Sequence, residues 1–448
     1  MTHVPLLGHR SVDALFAYTP RGPVDVRTFL AEAGELAARL PAGGYFLNLC
    51  RDRYRFALGL AAGLLTGRVS LQPSSQSAET LRQIQRDHAD VFCLCDGEFA
   101  TGELPRYDIP DLAGCGPAVT TIPLLPAEQL AIIVFTSGST GQPLPYGKTW
   151  GSLVINGRAE TRHLGLLDGP RHAVVGTVPP QHMYGFESTV LLAMHGNAPF
   201  WSGKPFYPQD IVTALNAVPR PRLLVTTPFH LRTLLAADIE LPTVDRLLSA
   251  TAPLSRELAA DAERRFAASV HEIYGCTETG QLASRQPTAD PAWLLLDGVT
   301  LRADGERVVA AGGHVHGQVV LNDHLELLPD GRFLLGTRHA DQIGIAGKRS
   351  SLAYLNHRLL SIPGVVDGTF YQPAESDTAI VRLCAFVVAP GIDRRQLLAA
   401  LRQQIDAVFL PRPLFLVDAL PRSASSKLPR AALQALYERL RKDRHVRG

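Results

Sequence analysis

Residues 135 to 141 read Phe-Thr-Ser-Gly-Ser-Thr-Gly, directly after the apolar run Leu130-Ala-Ile-Ile-Val134. That order predicts a buried strand emptying into a loop of small and hydroxylated residues. Gly138 and Gly141 let backbone N–H groups approach an anion closely, and Thr136, Ser137, Ser139 and Thr140 add hydroxyl donors. Such a loop suits the terminal phosphates of a nucleotide; taken alone, it is equally an ordinary Gly/Ser turn. Gly147-Lys148-Thr149 looks like the end of a P-loop, but that motif needs four residues between its glycines. Here five separate Gly141 from Gly147, and Pro143 and Pro145 stiffen them. No G-x-G-x-x-G fingerprint follows a strand.

Further stations follow in order. They are His182-Met-Tyr-Gly185, Tyr274-Gly-Cys-Thr-Glu278, Leu321-Asn-Asp323 with Asp330-Gly331, Arg338-His-Ala-Asp-Gln-Ile343, and Pro421-Arg-Ser-Ala-Ser-Ser-Lys427-Leu-Pro-Arg430. With the Thr136–Gly141 loop, this series resembles the adenylate-forming superfamily of acyl- and aryl-CoA synthetases, peptide-synthetase adenylation domains and luciferases. The resemblance spans about residue 40 to the end. It implies ATP and Mg²⁺ as cofactors and a division of labour. Thr136, Ser137, Gly138, Ser139, Thr140 and Gly141 would grip the departing pyrophosphate. Thr277 would contact the α-phosphate and Glu278 would coordinate Mg²⁺. Thr251, Ala252, Tyr274 and Gly275 would flank adenine, Asp323 would take the ribose hydroxyls, and Arg338 would sit near ribose or phosphate. Lys427 would bridge the carboxylate and the α-phosphate. His182 would stand where acid and thiol paths meet; a satisfied core histidine is the alternative. His314 and His316 share a strand face and, with no third ligand in sight, read as solvent-facing.

Several positions depart from the family pattern. Leu144 replaces the usual phosphate-loop lysine, with Lys148 four residues on, and Ala340 replaces the first hinge aspartate. Gly344 replaces a lysine, Ser426 a glycine, and Leu321-Asn322 the usual T-G. The Asn48-Leu-Cys-Arg-Asp-Arg-Tyr54 and Lys148-Thr-Trp-Gly151 stretches are most similar to hydroxybenzoate:acyl carrier protein ligases of aryl-polyene and xanthomonadin-type pigment pathways. The implied function is activation of a small aromatic carboxylic acid to its acyl-AMP, then transfer to the phosphopantetheine thiol of an acyl carrier protein. Two alternatives stand beside it: CoA as the thiol, and an AMP-binding module without catalysis. Glu278 and Lys427 argue against the second alternative. The basic end, Arg439 to Arg447, reads as a solvated helix that could meet an acidic carrier.

The elements needed to position these residues are legible as patterns. Helical periodicity at residues 25–41, 57–65 and 78–88 alternates with apolar runs at 45–49, 69–71 and 91–95. Further buried runs at 174–178, 223–227 and 246–249 continue the alternation, which predicts parallel sheets flanked by helices. From about Leu301, short alternating strands predict a small β-rich subdomain. The expected fold is therefore α/β: a large N-terminal adenylation domain over 1–338 and a small mobile α+β C-terminal domain over 339–448, as in adenylate-forming enzymes. A chain of 448 residues accommodates this, with a hydrophobic fraction of 46%. A net charge of +2 argues against nucleic acid as the main partner. The six cysteines lack zinc spacing and read as free thiols in a reducing cytoplasm. No apolar run reaches a membrane span, and the first ten residues lack a signal-peptide core.

Overall fold

The computed structural model describes every residue except 1, 74–77, 100, 113, 115, 117, 118, 138–142, 168, 306, 339–341, 346, 347, 374–382, 406, 424, 425, 447 and 448. Two compact units result: Met1–Val320 with Leu327–Phe333, and Leu321–Glu326 with Leu334–Gly448.

Among the described residues, the first unit holds two large sheets. One runs in the spatial order Pro143–Thr149, Leu130–Ser137, Val69–Gln72, Tyr45–Asn48, Val91–Cys95, Arg106–Asp108. Its inner strands are parallel, and Pro143–Thr149 closes it antiparallel to Leu130–Ser137. The other sheet has a parallel centre in the order Ser269–Cys276, Arg246–Ser249, Arg222–Thr226, Ala173–Gly176, Phe200–Trp201. Antiparallel strands flank it: Gly280–Arg285 beyond Ser269–Cys276, and Gly22–Asp25 at the far edge. The expectation of parallel sheets is thus corrected to mixed ones. The reason is local, because each antiparallel partner is joined by a turn too short for a crossover helix.

Helices fill the space between. Val26–Arg39 starts at Asp25, whose carboxylate accepts the Thr28 N–H at 2.8 Å. It buries Phe29, Leu30, Ala33 and Leu36 on one stripe. Arg53–Leu65 is apolar on every side and buried almost throughout, which only an internal helix tolerates. Both share one core with Trp150–His163 and the segment Phe186–Gly196. The strands Val299–Asp304, Arg307–Gly312 and Val315–Val320 form the small antiparallel sheet. Here the sequence-based placement of His314 fails. A register shift at Ala311/Gly312 puts it in the turn before the third strand, where it is 4% exposed, while His316 lies on the strand.

The second unit has a sheet of Asp367–Tyr371, Cys384–Val388 and Leu414–Leu416. Ala385 and Val387 face helices Leu352–Leu360 and Arg394–Arg402. Cys384 and Phe386 face Arg430–Val446, whose Leu433 and Leu436 complete the other side. This is the period-two alternation of a sheet covered on both faces. Among the described residues no helix is long and apolar enough to cross a membrane.

Candidate active site

Parallel strands deliver their carboxyl ends to one edge, the usual place for a ligand in an open α/β sheet. Arg246–Ser249 pairs with Ser269–Cys276 so that Ser249 stands opposite Glu272. Continuing that register puts Thr251 level with Tyr274. Thr251 has φ = 80°, a conformation a β-branched residue resists. Glu272 holds this segment from beneath: its carboxylate accepts the Leu254 N–H at 3.0 Å and pairs with Arg285 at 2.6 Å. Burial pushes the Glu272 carboxyl up and Arg285 pulls it back.

Beyond Tyr274 the chain makes a hairpin. Cys276 pairs with Gly280, so Thr277, Glu278 and Thr279 form its tip. Thr277 and Glu278 are half-buried, whereas Thr279 is fully buried and donates to Gly280 O at 2.8 Å. Gly275 is dictated by contact, since a Cβ there would lie 2.2 Å from Gly280 O. Gly280 is doubly required, by φ = 80° and by a Cβ position 2.7 Å from a Glu187 carboxylate oxygen. The Tyr274 ring packs against Trp293 and Phe333, at 5.7 Å from each, which fixes the strand leading into the tip.

His182 follows the strand Ala173–Gly176 and caps the short helix Met183–Gly185. It is half-buried, and its carbonyl accepts the Phe186 N–H at 2.8 Å. Tyr184 secures this helix to the strand ends, its hydroxyl lying 3.0 Å from Thr226 O and 2.9 Å from Leu248 O. Arg53 does the same from the other side. Fully buried, it donates to Gly176 O and Val178 O at 2.6 Å and to Gly203 O at 2.5 Å.

The expected phosphate-loop residues divide. Thr136 and Ser137 end the strand Leu130–Ser137, with Thr136 opposite Leu144 and Ser137 opposite Pro143. Gly138, Ser139, Thr140 and Gly141 lie outside the described residues, as do the side chains of Thr136, Ser137 and Arg338 and the whole of Ala340. Asp323 opens the strand Asp323–Leu327, and Lys427 is exposed in the second unit. A tight loop carries Lys427. Ser423 N donates to Lys427 O at 2.8 Å, and Lys427 N to Ser423 Oγ at 3.2 Å. Ser426 takes φ = 62°, which explains why the family prefers glycine there. Arg422 ties the loop down, donating to Ser426 O and forking onto buried Asp367 at 2.6 and 2.7 Å.

One group of residues was not anticipated. Lys148, 3% exposed, donates from Nζ to Glu278 O at 2.5 Å. Asn156 donates to Glu187 at 2.5 Å and Gln281 to Ser188 at 2.8 Å. Burial pushes Glu187 up to about 8, against the pull of the Lys148 ammonium, and Glu160 up to about 7, against Ser188 and Gln281. Burial draws His314 down to about 4. The available signal was Glu187 in the otherwise apolar or small stretch Phe186–Leu191, where a carboxylate without a partner is costly.

The donor chemistry fits Mg²⁺. Among the described residues no cluster of three or more His, Cys, Asp or Glu could hold a metal. Glu278 alone at a half-exposed tip matches an ion that takes one or two carboxylates and draws its other oxygens from phosphates and water.

Comparison with known proteins gives the family and the fold. Residues 53–331 match the family of AMP-binding enzymes, so the chain belongs to that family, within the acyl- and aryl-CoA ligase superfamily. It is 27% identical over 301 residues to a 4-coumarate–CoA ligase of Rhodobacter capsulatus, covering 67% of this chain and 75% of the relative. It is 24% identical over 402 residues to a 2-succinylbenzoate–CoA ligase of Bacillus cereus, covering 80% of each. The fold is that of o-succinylbenzoate CoA synthetase from Bacillus subtilis in complex with its acyl-adenylate intermediate. The TM-score is 0.80 at 19% identity over 97% of this chain and 99% of the other. MatB from Rhodopseudomonas palustris, bound to ATP, superposes with a TM-score of 0.79 at 19% identity over 96% and 97%.

Proposed function

We propose that the protein activates a small aromatic carboxylic acid with ATP and Mg²⁺ and passes the acyl group to the phosphopantetheine thiol of an acyl carrier protein in the cytoplasm. The observation that carries the reading is the hairpin tip of Thr277 and Glu278 at the carboxyl edge of parallel strands, with strained Thr251 following the neighbouring strand. ATP and Mg²⁺ together supply an electrophilic α-phosphate and a pyrophosphate leaving group. Thr277 would donate to the α-phosphate, Glu278 would hold the metal, and Thr136–Gly141 would take the departing charge. Thr251, Ala252, Tyr274 and Gly275 would flank adenine, with Asp323 on ribose and Arg338 close by. Lys427 would neutralise charge between carboxylate and α-phosphate. A rotation hinged near residues 338–341, between domains 1–338 and 339–448, would then withdraw Lys427 and open the thiol path past His182.

Aromatic acids are favoured because the relatives at 24–27% identity are named for coumarate and succinylbenzoate. Those same names favour a second reading, with CoA as the thiol. The test is acid-dependent pyrophosphate exchange across benzoates, cinnamates and fatty acids, followed by mass spectrometry of holo-carrier and CoA products. Benzoates should exceed C8 and longer acids by about 10-fold, since a pocket shaped to one ring gains little from a chain. Preference for the long acids overturns the substrate class. Turnover with CoA but with none of several holo-carriers selects the second reading.

A further inference from the structure

Lys148 is the one cation of the strand Pro143–Thr149, which returns from the phosphate loop at the edge of its sheet. Leu144, on the same strand face, is half-exposed, so the lysine expected there by resemblance is absent. Lys148 instead turns inward and is almost wholly buried. Removing an ammonium from water costs several kcal/mol unless acceptors replace the solvent. The Glu278 carbonyl accepts from it at 2.5 Å, and the Glu187 carboxyl acts on it through charge at longer range. Glu187 belongs to a π-turn, Phe186–Leu191, and is itself fixed by Asn156. It also touches the hairpin, because it lies where a Cβ on Gly280 would stand. The tip carrying Thr277 and Glu278 is therefore held at Glu278 O by Lys148 and packed closely at Gly280 against Glu187.

We propose that Lys148 is a positioning residue for the Thr277–Glu278 tip: its buried Nζ fixes the Glu278 carbonyl and so aims the Glu278 carboxylate. This rests on the reading of Glu278 as the Mg²⁺ ligand. An outer partner of this kind typically costs 10–100-fold in metal affinity or activity when removed. A merely structural lysine would change stability alone.

The test compares wild type, Lys148→Met, and the double variant Lys148→Met/Glu187→Gln, which leaves no unpaired buried carboxylate. Two readouts are taken: Mg²⁺ dependence of ATP binding by calorimetry, and acid-dependent pyrophosphate exchange. Lys148→Met should weaken Mg²⁺-dependent ATP binding about 10-fold and slow exchange about 10–100-fold, with KM for the acid little changed. The double variant should regain melting temperature but not Mg²⁺ affinity. A folded Lys148→Met with wild-type Mg²⁺ dependence overturns the proposal. So does a double variant that regains Mg²⁺ affinity together with stability, which also decides the case if the single variant does not fold. Should wild type bind Mg²⁺ and ATP yet exchange pyrophosphate with no acid, the functional reading fails, while calorimetry still judges Lys148.

Discussion

Glu278 combines two properties that rarely coincide. Its backbone is clamped by Lys148, and its side chain stays half-exposed at a three-residue tip. Glu278→Ala should abolish Mg²⁺-dependent pyrophosphate release while leaving melting unchanged; normal exchange at limiting Mg²⁺ would remove the assignment. Glu160 illustrates the opposite case, a carboxyl with no route to water. Folding raises it from an ordinary 4.5 to about 7, chiefly by burial. The folded chain thus keeps a proton that the unfolded chain sheds near 4.5. Its contribution to stability is complete below pH 4.5 and is lost as pH climbs to about 7, on the order of 3 kcal/mol in all. Glu160→Gln should flatten the melting temperature over that window, and an unchanged slope would show that another group titrates there.

At the scale of elements, the Arg422–Asp367 ion pair helps hold the loop around Lys427. Arg422→Met would leave the Asp367 carboxylate buried without its counter-charge, keeping the Gly368 N–H as a donor, and should destabilise the second unit by about 3 kcal/mol. Urea unfolding followed by proteolysis near residue 423 measures this, and Arg422→Met/Asp367→Asn should recover most of the loss. Several strands and helices of the first unit were legible because they carry an apolar stripe or a short apolar run. The apolar run at residues 246–249 needs no context to be read. Pro143–Thr149 was not legible as a strand, because two prolines and a glycine read as loop. It is tolerated as a strand only at a sheet edge, which composition does not announce. The motif residues of the hairpin tip were legible from their order. Their support was not, because Lys148, Glu160 and Glu187 acquire meaning through contacts between segments far apart in the chain. His314 was misplaced for a related reason, since it lies in the two-residue turn between Gly312 and Val315 rather than on a strand, and there it is buried.

At the scale of the whole molecule, the proposed chemistry divides between the two units. Thr277 and Glu278 belong to the first, and Lys427 to the second. Adenylation would need both; thioester formation would need the first unit with Lys427 withdrawn. Lys427→Ala should therefore lower pyrophosphate exchange on the order of 10²–10³, the usual cost of one preorganised donor to developing charge. Because Lys427 is exposed, the substitution should leave folding intact. Supplied with synthetic aryl-AMP and holo-carrier, the same variant should form thioester at nearly the wild-type rate. Charge no longer develops beside the lysine in that step. If both half-reactions fall together in a folded variant, one arrangement serves both steps and the rotation near 338–341 is discarded. If neither falls, Lys427 is a surface lysine. The cation for the α-phosphate must then come from Arg338 or from another basic residue.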